Sequence, residues 1–487
     1  MVAKLVVLAI YAIVVVAIGF MGMRKTRSFG DFLLGGGNIG PWMTAFSYGT
    51  AYFSAVLFIG FAGKIGWQFG LSGMWIAIGN TFLGITLVWA VMAKRIKDYS
   101  TTHKVQTMPE FLEHRYGSRF LKLYTAIGIF VFFIPYTTAV FMGLGYLFDS
   151  TFQLDYTTML IFIGLFTAVY LVLGGYKSMA LLDVIFGVIM TAGVVLLLWS
   201  CISKGGGLAE ILTTLKGKDP RLVDTVGPPG FWPLASLVFL TSFAPLAMPQ
   251  LVQKFYAVKD DRAIRIGLVA STVFGLLVTG TAYFSGALTR IFVTPEANPI
   301  AFDVTPEKVT PKFDYLMPEL LNTVIPQGLS VIILLLILAA SMSTLAALVL
   351  ISGSTVAKDF FAGFVNRNAS DKTLTLIIRI ASVVFILLAM GLAALEPSVI
   401  VTILSISWGA VGAMFLGPFV WGLLWKKTSK AGAIAGSILG LGICIVLFSL
   451  KGAAFVPQAG SIGMIVSFAL TPIVSLIAPN RAIRTAT

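Results

Sequence analysis

The sequence predicts an all-α membrane protein of about 13 transmembrane helices, folded as a five-plus-five inverted repeat with one leading and two trailing helices. Three observations carry this reading. Of the 487 residues, 58% are hydrophobic and only 11% charged, and the apolar residues fall in unbroken runs of bilayer length, not at the scattered spacing of a soluble core. Basic residues alternate by connection along the chain. Two apolar segments are interrupted by helix-breaking residues, in comparable places of what would be the two halves.

The leading run extends from Leu5 to Phe20 within a helix to about Met21. Its basic cluster Arg24, Lys25 and Arg27 follows the apolar stretch and no small-residue cleavage site is evident, which predicts a retained helix and not a cleaved leader. A re-entry follows Pro41. Further spans are expected at 72–93, 121–147, 158–174, 183–201, 233–252, 266–291, 324–357, 374–394, 398–425, 431–450 and 461–477. The connections 203–230 and 292–322 are the sizeable aqueous segments. All of this is one transmembrane domain, divided into a leading helix and inner loop (1–40), a first repeat (41–202), a second repeat (230–425) and two trailing helices (426–487).

A formal net charge of +14 would suggest a nucleic-acid partner for a soluble chain, but in a threaded one the question is which side holds the charge. With the N-terminus outside, most of the 34 basic residues fall in inner connections, among them Lys94, Arg95, Lys97, Arg115, Arg119 and Lys122 in one and Lys254, Lys259, Arg262 and Arg265 in another. Arg481 and Arg484 then put the C-terminus in the cytoplasm. The expected partner is the lipid bilayer of the inner (plasma) membrane, with no nucleic acid. Cys201 and Cys444 lie far apart in apolar segments and read as small packing groups. His103 and His114 share one inner loop and read as solvated. Gly432, Gly436 and Gly440 make a flat strip, better suited to packing within the chain than to dimerisation; a monomer suffices and an oligomer is compatible.

The interruptions point to function. In the first, Phe46-Ser47-Tyr48-Gly49-Thr50-Ala51-Tyr52-Phe53-Ser54 puts hydroxyls and a glycine into an apolar stretch. In the second, Thr241-Ser242-Phe243-Ala244-Pro245-Leu246-Ala247-Met248-Pro249 carries two prolines at bilayer depth. Proline removes a backbone donor and clashes with the preceding turn, so carbonyls are freed there. Paired broken helices in two halves of one chain mark a midplane binding site and an alternating-access carrier. Neither a nucleophile, base or metal cluster of an enzyme nor the selectivity filter of a channel is apparent.

Of the 20 acidic residues, only Asp183 abuts a span in this reading, at the inner end of the sixth helix. A transported cation must therefore be held mainly by neutral oxygens, which suits sodium, whereas protons call for a titratable route. Hydroxyls cluster at Ser47, Thr50 and Ser54, and again at Ser341, Ser343, Thr344, Ser352, Ser354 and Thr355.

The stretch Ala339-Ala340-Ser341-Met342-Ser343-Thr344-Leu345, followed by Asp359-Phe360, resembles the signature of the sodium/solute symporter family. Leu33 to Gly40, Ser54 with Gly60 and Gly63, Gly174-Gly175 with Asp183, and Pro249 followed by Lys254-Phe255-Tyr256-Ala257-Val258-Lys259-Asp260 resemble other pieces of it in the same order. The resemblance implies a LeuT-like fold and sodium-coupled symport, with Na+ as the coupling ion. It further implies a sodium site made of the Thr50, Phe53 and Ala340 carbonyls and the Ser343 and Thr344 hydroxyls, with Asp183 on the ion's inner exit path. Proton-coupled or uncoupled carriage by the same fold is the alternative.

Two departures bear on the substrate. Proline carriers of the family have an aspartate where this chain has Tyr52 and an arginine where it has Gly37. The spans offer few amides beyond Asn80 and Gln250, which disfavours a sugar. A cavity formed by Tyr48, Tyr52, Phe53, Tyr136, Thr241, Phe243, Pro245 and Trp408 would be largely aromatic. The expected small-molecule substrate is a monocarboxylate, an amino acid or a pantothenate-like acid. One sodium ion descending about 100 mV contributes roughly 2.3 kcal/mol, enough for useful uptake through a single site.

Overall fold

The computed structural model describes residues 2–25, 28–152 and 155–480. Arg27, Arg481 and Arg484 of the charge pattern lie outside the described residues, as do the side chains of Arg24 and Lys25. The chain is helical almost throughout. Apart from an isolated bridge, its extended pairing among the described residues is a short antiparallel ribbon, Phe302–Val304 with Val309–Pro311, in a connection.

In chain order the main helices are α1 (Val2–Lys25), α2 (Pro41–Tyr52), α3 (56–69), α4 (74–103), α5 (Met108–Tyr116), α6 (Arg119–Phe152), α7 (156–174) and α8 (Gly175–Lys204). Then come α9 (Phe231–Phe243), α10 (Pro249–Ala257), α11 (Asp261–Ala287), α12 (Phe313–Val324), α13 (Ser330–Ser354), α14 (Asp371–Ala394), α15 (Ile400–Leu424), α16 (Lys430–Lys451) and α17 (Val456–Ile477). Eleven stretches among the described residues are long and apolar enough to cross a bilayer. The expected thirteen is reached only by dividing Val56–His103, so that α3 joins α2 as one two-part span separate from α4, and by adding the short apolar α7.

Several connections hold more structure than the sequence suggested. The loop 203–230 contains a helix, Leu208–Lys218, and 292–322 contains the ribbon and the start of α12. The ninth span does not begin at Val324, which ends α12; a turn at 325–329 separates it from α13. Spans five and six are joined head to tail across Gly175, whose φ of 65° and ψ of 178° suit only a residue without a Cβ.

Both interruptions are real. Helix α2 starts with Pro41 in its first turn, where a missing N–H costs nothing, and stops at Tyr52 because Phe53 is extended (φ −116°, ψ 133°). No proline forces this break. Ser54 starts the next half as a cap, its Oγ accepting the Val56 N–H at 3.2 Å and its carbonyl accepting Leu57 N–H at 3.0 Å, as hydroxyl residues do at helix starts. In the second break, Pro245 sits in a tight turn over Ala244–Ala247, Met248 is extended, and Pro249 opens α10.

Helix α13 packs against α8 and α2, α11 against α2, α3 and α4, and α15 against α6 and α17. Close approach is set by glycine at two points. A Cβ on Gly66 would lie 2.0 Å from the Gly286 carbonyl carbon, so α3 and α11 touch backbone to backbone. The strip Gly432, Gly436 and Gly440 faces Thr471, Ser475 and Ser467 of α17, packing within the chain. Ahead of α2 and behind α10, Ile39 N–H donates to the Ala257 carbonyl at 3.1 Å and Lys259 N–H to the Ile39 carbonyl at 3.0 Å, strapping the start of the first broken helix to the end of the second.

Candidate functional site

The last carbonyls of any helix lack intrahelical donors and carry the negative end of its dipole. Helix α2 points this end into the protein interior, and α13 crosses it. The Thr344 Oγ1 lies 3.5 Å from the Thr50 carbonyl oxygen, 3.4 Å from those of Ala51 and Phe53, and 3.2 Å from that of Ala340 one turn back on its own helix. One hydroxyl proton can serve only one of these four acceptors. The neighbouring Ser343 Oγ lies 2.8 Å from Thr50 Oγ1 and 2.6 Å from Asp183 Oδ1, while Thr50 Oγ1 donates to the Phe46 carbonyl at 2.7 Å. Ser341 fixes the other side of the break, accepting the Ala55 N–H at 3.0 Å. Thr50, Phe53, Ala340, Ser343 and Thr344 are thus together, fully or almost fully buried. Sequence reasoning missed Ala51, whose carbonyl no side-chain pattern could reveal.

Asp183 is not at a helix end, as expected, but about two turns past Gly175 and wholly buried. Its Oδ2 accepts the Ser47 hydroxyl at 2.5 Å and lies 3.6 Å from Lys254 Nζ. Lys254 is a second correction: counted among inner-loop charges, it is fully buried on α10, donates to Ser47 Oγ at 2.8 Å and stands 5.2 Å from the centre of the Tyr176 ring. The readable signal was helix length, since α10 runs to Ala257 and not to Val252.

Other buried charges correct the view that the remaining carboxylates sit in loops or at margins. Asp359 accepts the Thr107 hydroxyl at 2.7 Å, and Lys358 pairs with Glu110 at 3.3 Å and bonds Gln106, which pins α5 to the end of the ninth span. Lys122 is buried against Glu113 at 2.6 Å. Asp314 of α12 accepts the first N–H of α15, Ile400, at 3.0 Å, and burial pushes its carboxyl up to about 7. His103 and His114 are exposed, as expected of a solvated loop, and they pair there: their ring centres lie 4.3 Å from one another, with Tyr99 Oη 2.7 Å from His114 Nδ1; partial desolvation and the neighbouring imidazole lower the His114 pKa. Among the described residues, no three His, Cys, Asp or Glu side chains gather as metal ligands.

Beside the break lies a narrow cavity of about 30 Å³ lined by Tyr52, Phe53, Ser54, Asn80, Tyr136, Thr241, Tyr283 and Trp408, with Val56, Leu57, Phe61 and Leu404. Of the expected lining residues, Tyr52, Phe53, Tyr136, Thr241 and Trp408 are there. Tyr52 Oη donates to the Thr241 carbonyl at 2.7 Å, joining the two broken helices across the cavity. Tyr48 is not a lining residue: one turn earlier on α2, it faces α4 and donates to the Gly84 carbonyl at 3.0 Å. Phe243 stacks outward on Phe239 at 4.5 Å, and Pro245 is buried within the break itself; neither borders the cavity. Tyr283 was missed because nothing in an ordinary apolar helix marks one tyrosine among others.

Two discontinuous helices, one with its carbonyl end against a hydroxyl pair and both beside one cavity, are the arrangement of a secondary transporter of LeuT-like architecture. The model of the Sodium:solute symporter family matches residues 32–440. The osmoregulated proline transporter OpuE of Bacillus subtilis is 29% identical over 453 residues, covering 90% of this chain and 87% of that protein. The sodium/proline symporter of Haemophilus influenzae is 30% identical over 465 residues, covering 92% and 88%. Among solved structures, a Na+-coupled sialic acid symporter in its substrate-bound outward-open state superimposes with a TM-score of 0.80 at 18% identity over 98% of both chains, which shows the shared fold.

The chain belongs to the sodium:solute symporter family. It is a multi-pass plasma-membrane carrier, not an enzyme, that couples Na+ to the movement of a small solute.

Proposed function

We propose that the coupling ion is held by the Thr50, Ala51, Phe53 and Ala340 carbonyls with the Ser343 and Thr344 hydroxyls, and that Asp183 stands on its inner exit path. The observation that carries this is the convergence of four carbonyl oxygens within 3.5 Å of one threonine hydroxyl, a surplus of acceptors that a hard cation satisfies and a single proton does not. The ion bridges α2 and α13, so its presence stabilises the arrangement that also forms the cavity beside Phe53. Ion and solute then bind synergistically.

The solute is a compact carboxylate-bearing molecule, with a proline-sized amino acid first in order and a monocarboxylate or pantothenate-like acid after it. The named relatives carry proline, and the small, aromatic, amide-poor cavity suits such a shape. Tyr52 and Gly37, where proline carriers have charged residues, make the recognition of this chain its own. The N-terminus lies outside and the C-terminus inside, the chain crosses thirteen times, residues 41–202 and 230–425 form the two repeats, and one protomer is a complete carrier.

Uptake into proteoliposomes decides the matter. Proline, pyruvate and pantothenate are each offered under an inward sodium gradient, a potassium gradient and a proton gradient. Sodium-dependent uptake of one of them supports the reading; undiminished uptake without sodium overturns the coupling, and uptake of none of them overturns the solute class.

A further inference from the structure

The buried pair Lys254 and Asp183 has no part in the sodium cradle as described above, yet the two are connected. From Lys254 Nζ the chain of contacts runs 2.8 Å to Ser47 Oγ and 2.5 Å on to Asp183 Oδ2; the other carboxylate oxygen lies 2.6 Å from Ser343 Oγ, which belongs to the cradle. Asp183 therefore has two faces. One is turned to an ammonium fixed to the protein, the other to a hydroxyl that holds a mobile ion.

Both charges are completely buried, and a buried charge without its partner is costly. The groups facing the pair are Ser47 and Thr50 from α2, Tyr176 from α8, and Ser343 from α13. None of these is charged at neutral pH, so Lys254 is the cation that neutralises Asp183 when no ion is present. A sodium ion among Thr50, Ser343 and Thr344 adds a second positive charge beside the same carboxylate. The ammonium and the ion repel each other and draw on one anion.

We propose that Lys254 is a positioning residue that acts as a tethered competitor of sodium, holding Asp183 and thereby keeping the sodium site weak enough to release its ion. This inference rests on the sodium site proposed above. Without the ammonium, Asp183 would turn its full charge on the cradle and the ion would bind too tightly to leave quickly. With both charges gone, the site would return to neutral oxygens alone.

The test measures sodium-dependent uptake, at saturating solute and across a sodium titration, for the wild type, Lys254→Met, Lys254→Arg, Asp183→Asn and the Lys254→Met/Asp183→Asn double variant. Sodium binding is read separately from the sodium-dependent thermal shift of purified protein, which does not require turnover. Lys254→Met is expected to lower the half-saturating sodium concentration by about tenfold and to reduce maximal uptake. Asp183→Asn should raise that concentration. Lys254→Arg should lie nearer the wild type than Lys254→Met, and the double variant nearer than either of its single parents. If Lys254 only supports the fold, Lys254→Met will weaken sodium binding or leave it unchanged, and the double variant will be worse than either single one; either result overturns the inference. Loss of sodium dependence in the wild type itself would instead overturn the site on which the inference stands.

Discussion

Replacing Thr344 by valine keeps the volume and branching of the side chain and removes one oxygen. That oxygen is the point on which the carbonyls of Thr50, Ala51, Phe53 and Ala340 converge at 3.2–3.5 Å. Without an ion, the cost is that of one ordinary hydrogen bond, about 1 kcal/mol, because the hydroxyl can serve only one acceptor at a time. With an ion, the same change removes a ligand from a charged centre, about 1.5–3 kcal/mol, or about a ten- to hundredfold rise in half-saturating sodium. The two costs separate in one experiment. Melting of purified Thr344→Val without sodium should stay within a few degrees of the wild type, while sodium should no longer stabilise it over the concentrations that stabilise the wild type. Uptake should fall at low sodium and recover in part at high sodium. Should the variant keep the wild-type sodium dependence in both assays, the ion does not sit between α2 and α13 and the proposed cradle is wrong.

Other outcomes follow from other parts of the molecule. Tyr52→Phe removes the bond to the Thr241 carbonyl across the cavity; solute KM should rise several-fold with little change in the sodium dependence, and an unchanged KM would remove Tyr52 from the solute wall. Asp314 has its carboxyl raised to about 7 by burial, so the fold favours its protonated form. Its stabilising contribution is complete below about pH 4 and is lost as the pH rises through about 7. Asp314→Asn, which keeps an acceptor for the Ile400 N–H, should flatten the fall in melting temperature between pH 5 and pH 8, by about 2 °C; an identical pH profile in the variant would refute this. Gly66→Ala would press a methyl into the Gly286 backbone and should destabilise by about 3 kcal/mol, read as a lower melting temperature in detergent, whereas an unaltered melt would show that α3 and α11 can part at no cost.

The membrane architecture was legible because lipid allows so few solutions: a run such as Val184 to Trp199 has no other place to go. The second break was legible for a similar reason, since Pro245 and Pro249 cannot donate to a helical ladder. The first break was located to within a few residues, but its cause was not glycine. Phe53 ends the helix and Ser54 caps the next one, and that choice depends on Ser341 receiving the Ala55 N–H from far along the chain. The carbonyls of Thr50, Phe53 and Ala340 and the hydroxyls of Ser343 and Thr344 could be named only from the family resemblance; the Ala51 carbonyl lay outside that set, and a backbone oxygen leaves no mark of its own on a sequence. Lys254 was misplaced because a lysine five residues before Lys259 and Asp260 looks like part of a loop. Its partners Ser47 and Asp183 lie far away in the chain, and only the fold brings the three together. Phe243 fell outside the cavity because a helix turns about 100° per residue, which points it away from Thr241, whereas Tyr48 shares the face of Tyr52 but lies one turn earlier along α2; membership of a broken helix fixes neither the direction nor the depth of a ring.

The backbone strap formed by Ile39 between Ala257 and Lys259 has a mechanical implication. It ties the start of α2 to the end of α10 through two backbone bonds, so neither stem can swing far while its counterpart stays still. A movement of that end carries the pair as one unit, and the extended residues Phe53 and Met248 are the places where the two helices can flex. The joint at Phe53 also borders the cavity and the carbonyls that converge on Thr344, so an ion held as proposed above would load the hinge itself, which ties occupancy to movement without any separate relay.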